Sequence, residues 1–70
     1  METSAIGIVN MAVCDAAIVA VREEYNLEVT YIDLGGRYQL FAKVEPDMYG
    51  EVMALVRGLA IMDRMVQTGE

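Results

Sequence analysis

The sequence contains no histidine and a single cysteine, Cys14. Structural zinc sites need four ligands drawn mainly from cysteine and histidine, so this chain cannot build one. One cysteine also excludes a disulfide within the chain. Nucleophilic catalysis requires a nucleophile beside a base, and without histidine that pair would have to come from residues such as Ser4, Thr30 or Lys43. We therefore expect no enzyme activity and no catalytic, cofactor-binding or metal-binding residues.

Basic residues are also scarce, with five lysines and arginines against eleven aspartates and glutamates, for a net charge of −6. Binding to nucleic acid requires a basic surface, and so does binding to an anionic membrane. No apolar run approaches the ~18 residues of a transmembrane helix. The segment Met1–Thr3 lacks the positive charge that begins a signal peptide. These absences predict a cytoplasmic protein with no nucleic acid or membrane partner.

Apolar residues are abundant, at 56% of the chain against the usual ~45–50%. A single domain spanning residues 1–70 buries only about 60% of its unfolded surface. Small domains compensate with disulfides, metals or oligomerisation. Because the first two are excluded, we expect a homo-oligomer, a dimer or larger.

The first third of the chain predicts a strand followed by a helix. The segment Ser4–Val9 is apolar and β-branched, which predicts a strand covered on both faces, and its Gly7 suggests close approach by another backbone. Asn10 is a suitable N-cap for a helix over residues 11–25, and Asn26 is a suitable left-handed C-cap. Asp15 is an alternative N-cap that would shorten this helix. The predicted buried stripe comprises Met11, Cys14, Ile18, Val21 and Tyr25.

Gly35-Gly36 predicts a tight hairpin between strands over residues 27–34 and 37–44. Counting outward from the turn places the apolar residues Leu27, Val29 and Tyr31 opposite Val44, Ala42 and Leu40 on one face. The other face pairs Glu28 with Lys43, Thr30 with Phe41, Ile32 with Gln39, and Leu34 with Arg37. Ile32 and Phe41 make this outer face more apolar than a solvated face requires.

A second helix follows Pro46, with Asp47 as its expected cap. Its expected core stripe comprises Met48, Val52, Leu55, Leu59, Met62 and Val66. A second apolar stripe beside it comprises Tyr49, Met53, Val56 and Ala60. One sheet cannot bury both stripes, so the second is interpreted as an interface.

This order, β-α-β-β-α, predicts an α+β fold of the ferredoxin-like type that lacks the fourth strand, with two helices on one face of a three-stranded sheet. In the complete fold the fourth strand pairs with the first, so its absence leaves an open edge on the first strand. The residues expected to mediate self-association are Ile6, Ile8, Ile32, Phe41, Tyr49, Met53, Val56 and Ala60.

Four segments of the chain resemble the bacterial microcompartment shell domain. They are Ala5–Val9, the segment 26–29, the Tyr31–Gly35 region and the helix from Asp47 to Met65. This resemblance implies a structural protein that assembles from many copies. The chain departs from the family in a shorter pore loop and in the missing final strand, which removes part of the hexamer contact. ACT-type regulatory domains share the same order of elements.

Three functions remain open at this stage. The first is a non-catalytic protein–protein interaction module that self-associates, of which a minimal shell-like assembly protein is one form. The second is an acidic inhibitor or decoy, in which Glu45, Asp47 and Glu51 would bind a basic site on another protein. The third is an ACT-like regulatory domain with a small ligand near Asn10 and Met11.

Overall fold

A computed structural model describes residues 3–68, with side chains described over 3–66. The elements are β1 (Thr3–Val9), α1 (Met11–Tyr25), β2 (Val29–Asp33), β3 (Tyr38–Lys43) and α2 (Pro46–Thr68). The three strands form one antiparallel sheet in the order β1-β3-β2. Both helices pack on one face of it around a shared apolar core. The α+β fold and the β-α-β-β-α order expected from the sequence are confirmed.

The ends of α1 follow from two asparagines. The side-chain oxygen of Asn10 accepts a hydrogen bond of 2.9 Å from the backbone N–H of Val13, and Asn26 closes the helix in the left-handed region with φ 56°. Asp15 is therefore not the cap. The expected stripe is partly wrong, because Met11 is exposed and the helix instead buries Val13 and Ala17 together with Cys14 and Val21. The contact face is centred on the 13–17–21 row, whose small and β-branched side chains lie in the core.

The hairpin register is confirmed at each of the five paired positions from Val29 with Ala42 to Asp33 with Tyr38. Leu34 donates a 2.7 Å hydrogen bond to the carbonyl of Arg37, which closes the two-residue turn. Both turn glycines have positive φ, as a type I′ turn requires. Tyr31 shares the face of Leu40 yet remains exposed, because it lies on an edge strand and packs edge-on against Tyr38 at 5.4 Å.

The strand β1 contains an irregularity between Ala5 and Gly7, where the pairing with β3 shifts register. Gly7 lies against α2: a Cβ atom at this position would come within 2.8 Å of the Val56 side chain. The close approach expected at Gly7 therefore exists, but its partner is a helix side chain. Tyr49 of α2 donates a 2.5 Å hydrogen bond to the carbonyl of Ala5, where the bulge interrupts the ladder.

The helix α2 begins at Pro46, one residue before the expected cap position. Met48 donates to the carbonyl of Glu45, and Asp47 lies in the first turn, where its charge complements the helix dipole. At about 35 Å this 23-residue helix is longer than β1, at about 23 Å. Met62 and Val66 are consequently 63% and 74% exposed, so their assignment to the core was wrong.

Candidate association surface

The outer edge of β1 is open. Within residues 3–68, β1 pairs with β3 on one side and no strand pairs with it on the other. Natural proteins block such edges with charge, proline or bulges. The register shift between Ala5 and Gly7 interrupts this edge, and the Tyr49 hydroxyl donates to the carbonyl of Ala5 at the end of the first half, Thr3–Ala5. The second half of the edge, from Gly7 to Val9, follows the bulge in regular register and contains neither charge nor proline.

A groove of about 240 Å³ runs between this edge and α2. Although the chain carries a net charge of −6, none of the groove residues is acidic, and Arg57 is the one charged residue among them. The groove therefore combines a hydrogen-bonding strand edge with an apolar wall. Its lining residues are Ile6, Gly7, Ile8, Val9, Met53, Val56, Arg57 and Ala60.

The structure divides the predicted interface residues on β1 and α2 into two groups. Ile8, Met53 and Ala60 are exposed or partly exposed residues that line the groove, and the partly buried Tyr49 contacts β1 through its hydroxyl. Ile6 and Val56, by contrast, are each 1% exposed.

The side chains of Ile6 and Val56 belong to the core of one copy and are not available to a partner. Their assignment to an exposed stripe is thus corrected. The spacing of apolar residues predicts which residues of α2 share a stripe, but it does not predict how the helix is rotated about its axis. The observed rotation places Val56 against Gly7.

The remaining two predicted residues, Ile32 and Phe41, lie on the sheet face opposite the helices. Ile32 pairs with Gln39 from one side, and Ile8 pairs with Gln39 from the other. Ile8 is 49% exposed and Ile32 52% exposed, whereas Phe41 is partly buried. The outer face of β1 is therefore not covered within one copy, contrary to expectation. Ile8 and Ile32 are similarly exposed but lie at opposite edges of the sheet.

The three acidic residues considered for partner binding are exposed around the start of α2. Glu45 precedes the helix, Asp47 lies in its first turn and Glu51 follows one turn later. None of them lines the groove beside β1. Across the described residues, no group of three cysteine or carboxylate side chains is placed to hold a metal ion.

Two side chains have perturbed pKa values, and both perturbations have structural causes. Burial raises the pKa of the Cys14 thiol, and the nearby Asp15 carboxylate adds to the effect. Desolvation, followed by the charge of Asp33, raises the pKa of Tyr38. A protonated thiol is a poor nucleophile, and neither group lines the groove.

The region proposed for a small ligand, at the start of α1, is a shallow cavity of about 300 Å³. The side chain of Asn10 is already engaged there. It accepts from the Val13 N–H and donates a 3.0 Å hydrogen bond to Asp63 of α2. The structure thus uses Asn10 to cap α1 and to join the two helices.

Arg57 and the bulge in β1 were not identified from the sequence. Gly7 within an apolar strand was the available signal for the bulge, whereas nothing marked Arg57 as different from other exposed arginines. No helix in the described part of the chain is long and apolar enough to cross a membrane. Neither the family models nor the curated proteins nor the solved structures contain a match to this chain.

Proposed function

We propose that this protein is a non-catalytic module that associates with copies of itself, as a minimal shell-like assembly protein would. The observation that carries the proposal is the open β1 edge, flanked by an apolar groove that contains no acidic residue. A strand edge of this kind is a template for pairing with another chain. The net charge of −6 disfavours nucleic acid and anionic membranes as alternative partners. We expect the protein to act in the cytoplasm.

The exposed area supports the same proposal. The chain exposes 4921 Å², whereas a 7.7 kDa monomer is expected to expose about 4300 Å². Part of the excess of about 600 Å² lies at the end of α2 that extends past β1, where Met62 and Val66 are exposed. Burial of this area in an oligomer would provide stability that a small core cannot.

The test is the solution mass across a concentration series, measured by sedimentation velocity and light scattering. We expect species heavier than 7.7 kDa that dissociate on dilution, and discrete larger rings or sheets if assembly is shell-like. A mass of 7.7 kDa at every concentration up to the millimolar range would contradict the proposal.

Met53→Glu tests the groove directly. Met53 lines the groove, so a carboxylate introduced there would be buried unpaired on association and would cost several kcal/mol. We expect this variant to be monomeric with unchanged far-UV circular dichroism. The control is Ala54→Glu, which adds the same charge at the next position of α2, an exposed residue outside the groove. If both variants associate like the wild type, the groove is not the interface.

A further inference from the structure

We propose that the occupant of the groove is a second copy of this chain, related by a two-fold axis that passes beside Ile8. The two β1 strands pair antiparallel over Gly7–Val9, and the two α2 helices cross at Ala60. This inference rests on the proposed function, since it specifies how the self-association occurs. The result is one continuous six-stranded sheet with all four helices on the same face.

The bulge determines which part of β1 can pair. Ladder pairing needs consecutive residues in regular extended geometry, and the register shift between Ala5 and Gly7 divides β1 into two such segments, Thr3–Ala5 and Gly7–Val9. The Ala5 carbonyl is already bonded to Tyr49. This contact disfavours pairing through Thr3–Ala5 and leaves Gly7–Val9, a short segment whose central residue is Ile8. A two-fold axis at Ile8 places Gly7 of each copy opposite Val9 of the other.

The helix α2 lies on the same flank as this edge. Ala60 lines the groove together with Ile8 and Val9, and it also lines the adjacent cavity beside them. Extending the sheet through β1 therefore brings the two α2 helices together near Ala60. A small residue at the crossing lets helix backbones approach closely. Met53, one of the other groove residues on α2, has a flexible side chain that adapts to an irregular contact.

Charge supports the same arrangement. When two identical helices cross antiparallel at Ala60, the residue three positions before the crossing faces the residue three positions after it. Arg57 of each copy then faces Asp63 of the other. The otherwise acidic chain thus presents a self-complementary surface at this place.

Disulfide trapping tests the position of the axis. Residues directly opposite one another in an antiparallel pair have Cα atoms about 4.5–5.5 Å apart, which suits a disulfide. We expect Ile8→Cys to form a covalent dimer in oxidised glutathione. The matched control is Ile32→Cys, with similar exposure on the same face at the opposite edge of the sheet. We expect this variant to remain uncrosslinked. The native Cys14 is buried and does not compete.

Charge exchange tests the helix crossing. We expect Arg57→Asp and Asp63→Arg each to weaken association about 10-fold, by placing like charges together. The double variant Arg57→Asp/Asp63→Arg should associate more tightly than either single variant, because it exchanges the two charges of the pair. Recovery should be incomplete, because Asp63→Arg also removes the hydrogen bond from Asn10 within each copy. Rescue of this kind would not arise if either residue acted only within its own copy.

The outcomes separate this inference from the proposed function. A wild-type chain that is monomeric at every concentration contradicts both. A wild-type oligomer in which Ile8→Cys does not crosslink places the interface elsewhere and contradicts only the inference. Equal crosslinking of Ile8→Cys and Ile32→Cys would also contradict only the inference, because it would indicate that the outer sheet faces of two copies pack together. If Arg57→Asp/Asp63→Arg associated no more tightly than either single variant, the helix crossing at Ala60 would be excluded.

Discussion

At the scale of single residues, the asparagines and glycines that end or reverse the chain are the positions the sequence predicts best. Asn10, Asn26 and Gly35-Gly36 have the roles expected of them. Each role depends on the residue's own backbone preference and on neighbours within three or four positions. The second contact of Asn10, to Asp63, joins residues 53 positions apart. No local pattern indicates a contact of that kind.

The turn provides a prediction at this scale. Gly36 has φ 98°, a region that β-branched residues essentially avoid, so Gly36→Val should lower the free energy of unfolding by about 1–3 kcal/mol. Urea unfolding followed by circular dichroism measures this. The control, Gly50→Ala in the exposed part of α2, should instead stabilise by about 0.5–1 kcal/mol. A neutral Gly36→Val would mean that the turn lies at other residues.

At the scale of elements, the sequence predicts which helices and strands form but not how each helix is rotated. The predicted bounds of α1, residues 11–25, agree with the structure, yet Met11, Met62 and Val66 are exposed and Val56 is buried. A helix with apolar residues on more than half of its surface has several faces that could be buried. Which face is buried depends on the shape of the sheet beneath it, which involves residues far away in the chain.

The contact between β1 and α2 can be tested as a pair. A Cβ atom at Gly7 would lie 2.8 Å from the Val56 Cγ1 atom, and Gly7 has φ 156°, so Gly7→Ala should destabilise the fold by about 1–3 kcal/mol. Val56→Ala removes the clashing atom but leaves a cavity. The double variant should be less destabilised than the sum of the two, by about 0.5–3 kcal/mol.

The control for this cycle is Val52→Ala, which truncates a buried valine one turn earlier in the same helix. Its cost should add to that of Gly7→Ala without coupling, since no Val52 atom lies near the added Cβ. If Gly7→Ala were coupled equally to Val56→Ala and to Val52→Ala, the substitution at Gly7 would affect the whole of α2 and not one side chain.

At the scale of the whole molecule, the order of elements predicted the open edge correctly, because among residues 3–68 a three-stranded arrangement of this type leaves β1 without a second neighbour. The groove itself could not be predicted. It depends on α2 lying beside β1 with Val56 against Gly7, a three-dimensional contact that sequence periodicity does not determine. The acidic composition, in contrast, is fully visible in the sequence, and like charge makes any two copies repel at long range.

The net charge of −6 per copy predicts the direction in which salt would change the proposed self-association. Two copies with this net charge, with their centres about 25 Å apart, repel by about 6 kcal/mol in water without salt. Screening reduces this to roughly 2–3 kcal/mol at 0.01 M salt and to below about 0.5 kcal/mol at 0.15 M. The dissociation constant of the oligomer should therefore fall about 30-fold between these salt concentrations, as measured by sedimentation equilibrium.

An acidic decoy bound to a basic partner would behave in the opposite way, since salt would weaken its complex. The double variant Glu23→Lys/Glu24→Lys separates charge repulsion from general effects of salt on apolar contacts. Both residues are exposed near the end of α1, outside the groove, and their replacement reduces the net charge to about −2, which removes most of the repulsion. This variant should associate more tightly than the wild type at 0.01 M salt and equally at 0.15 M. A wild-type oligomer that dissociates as salt is added would instead show that ion pairs, and not the strand edge and its apolar groove, hold the copies together.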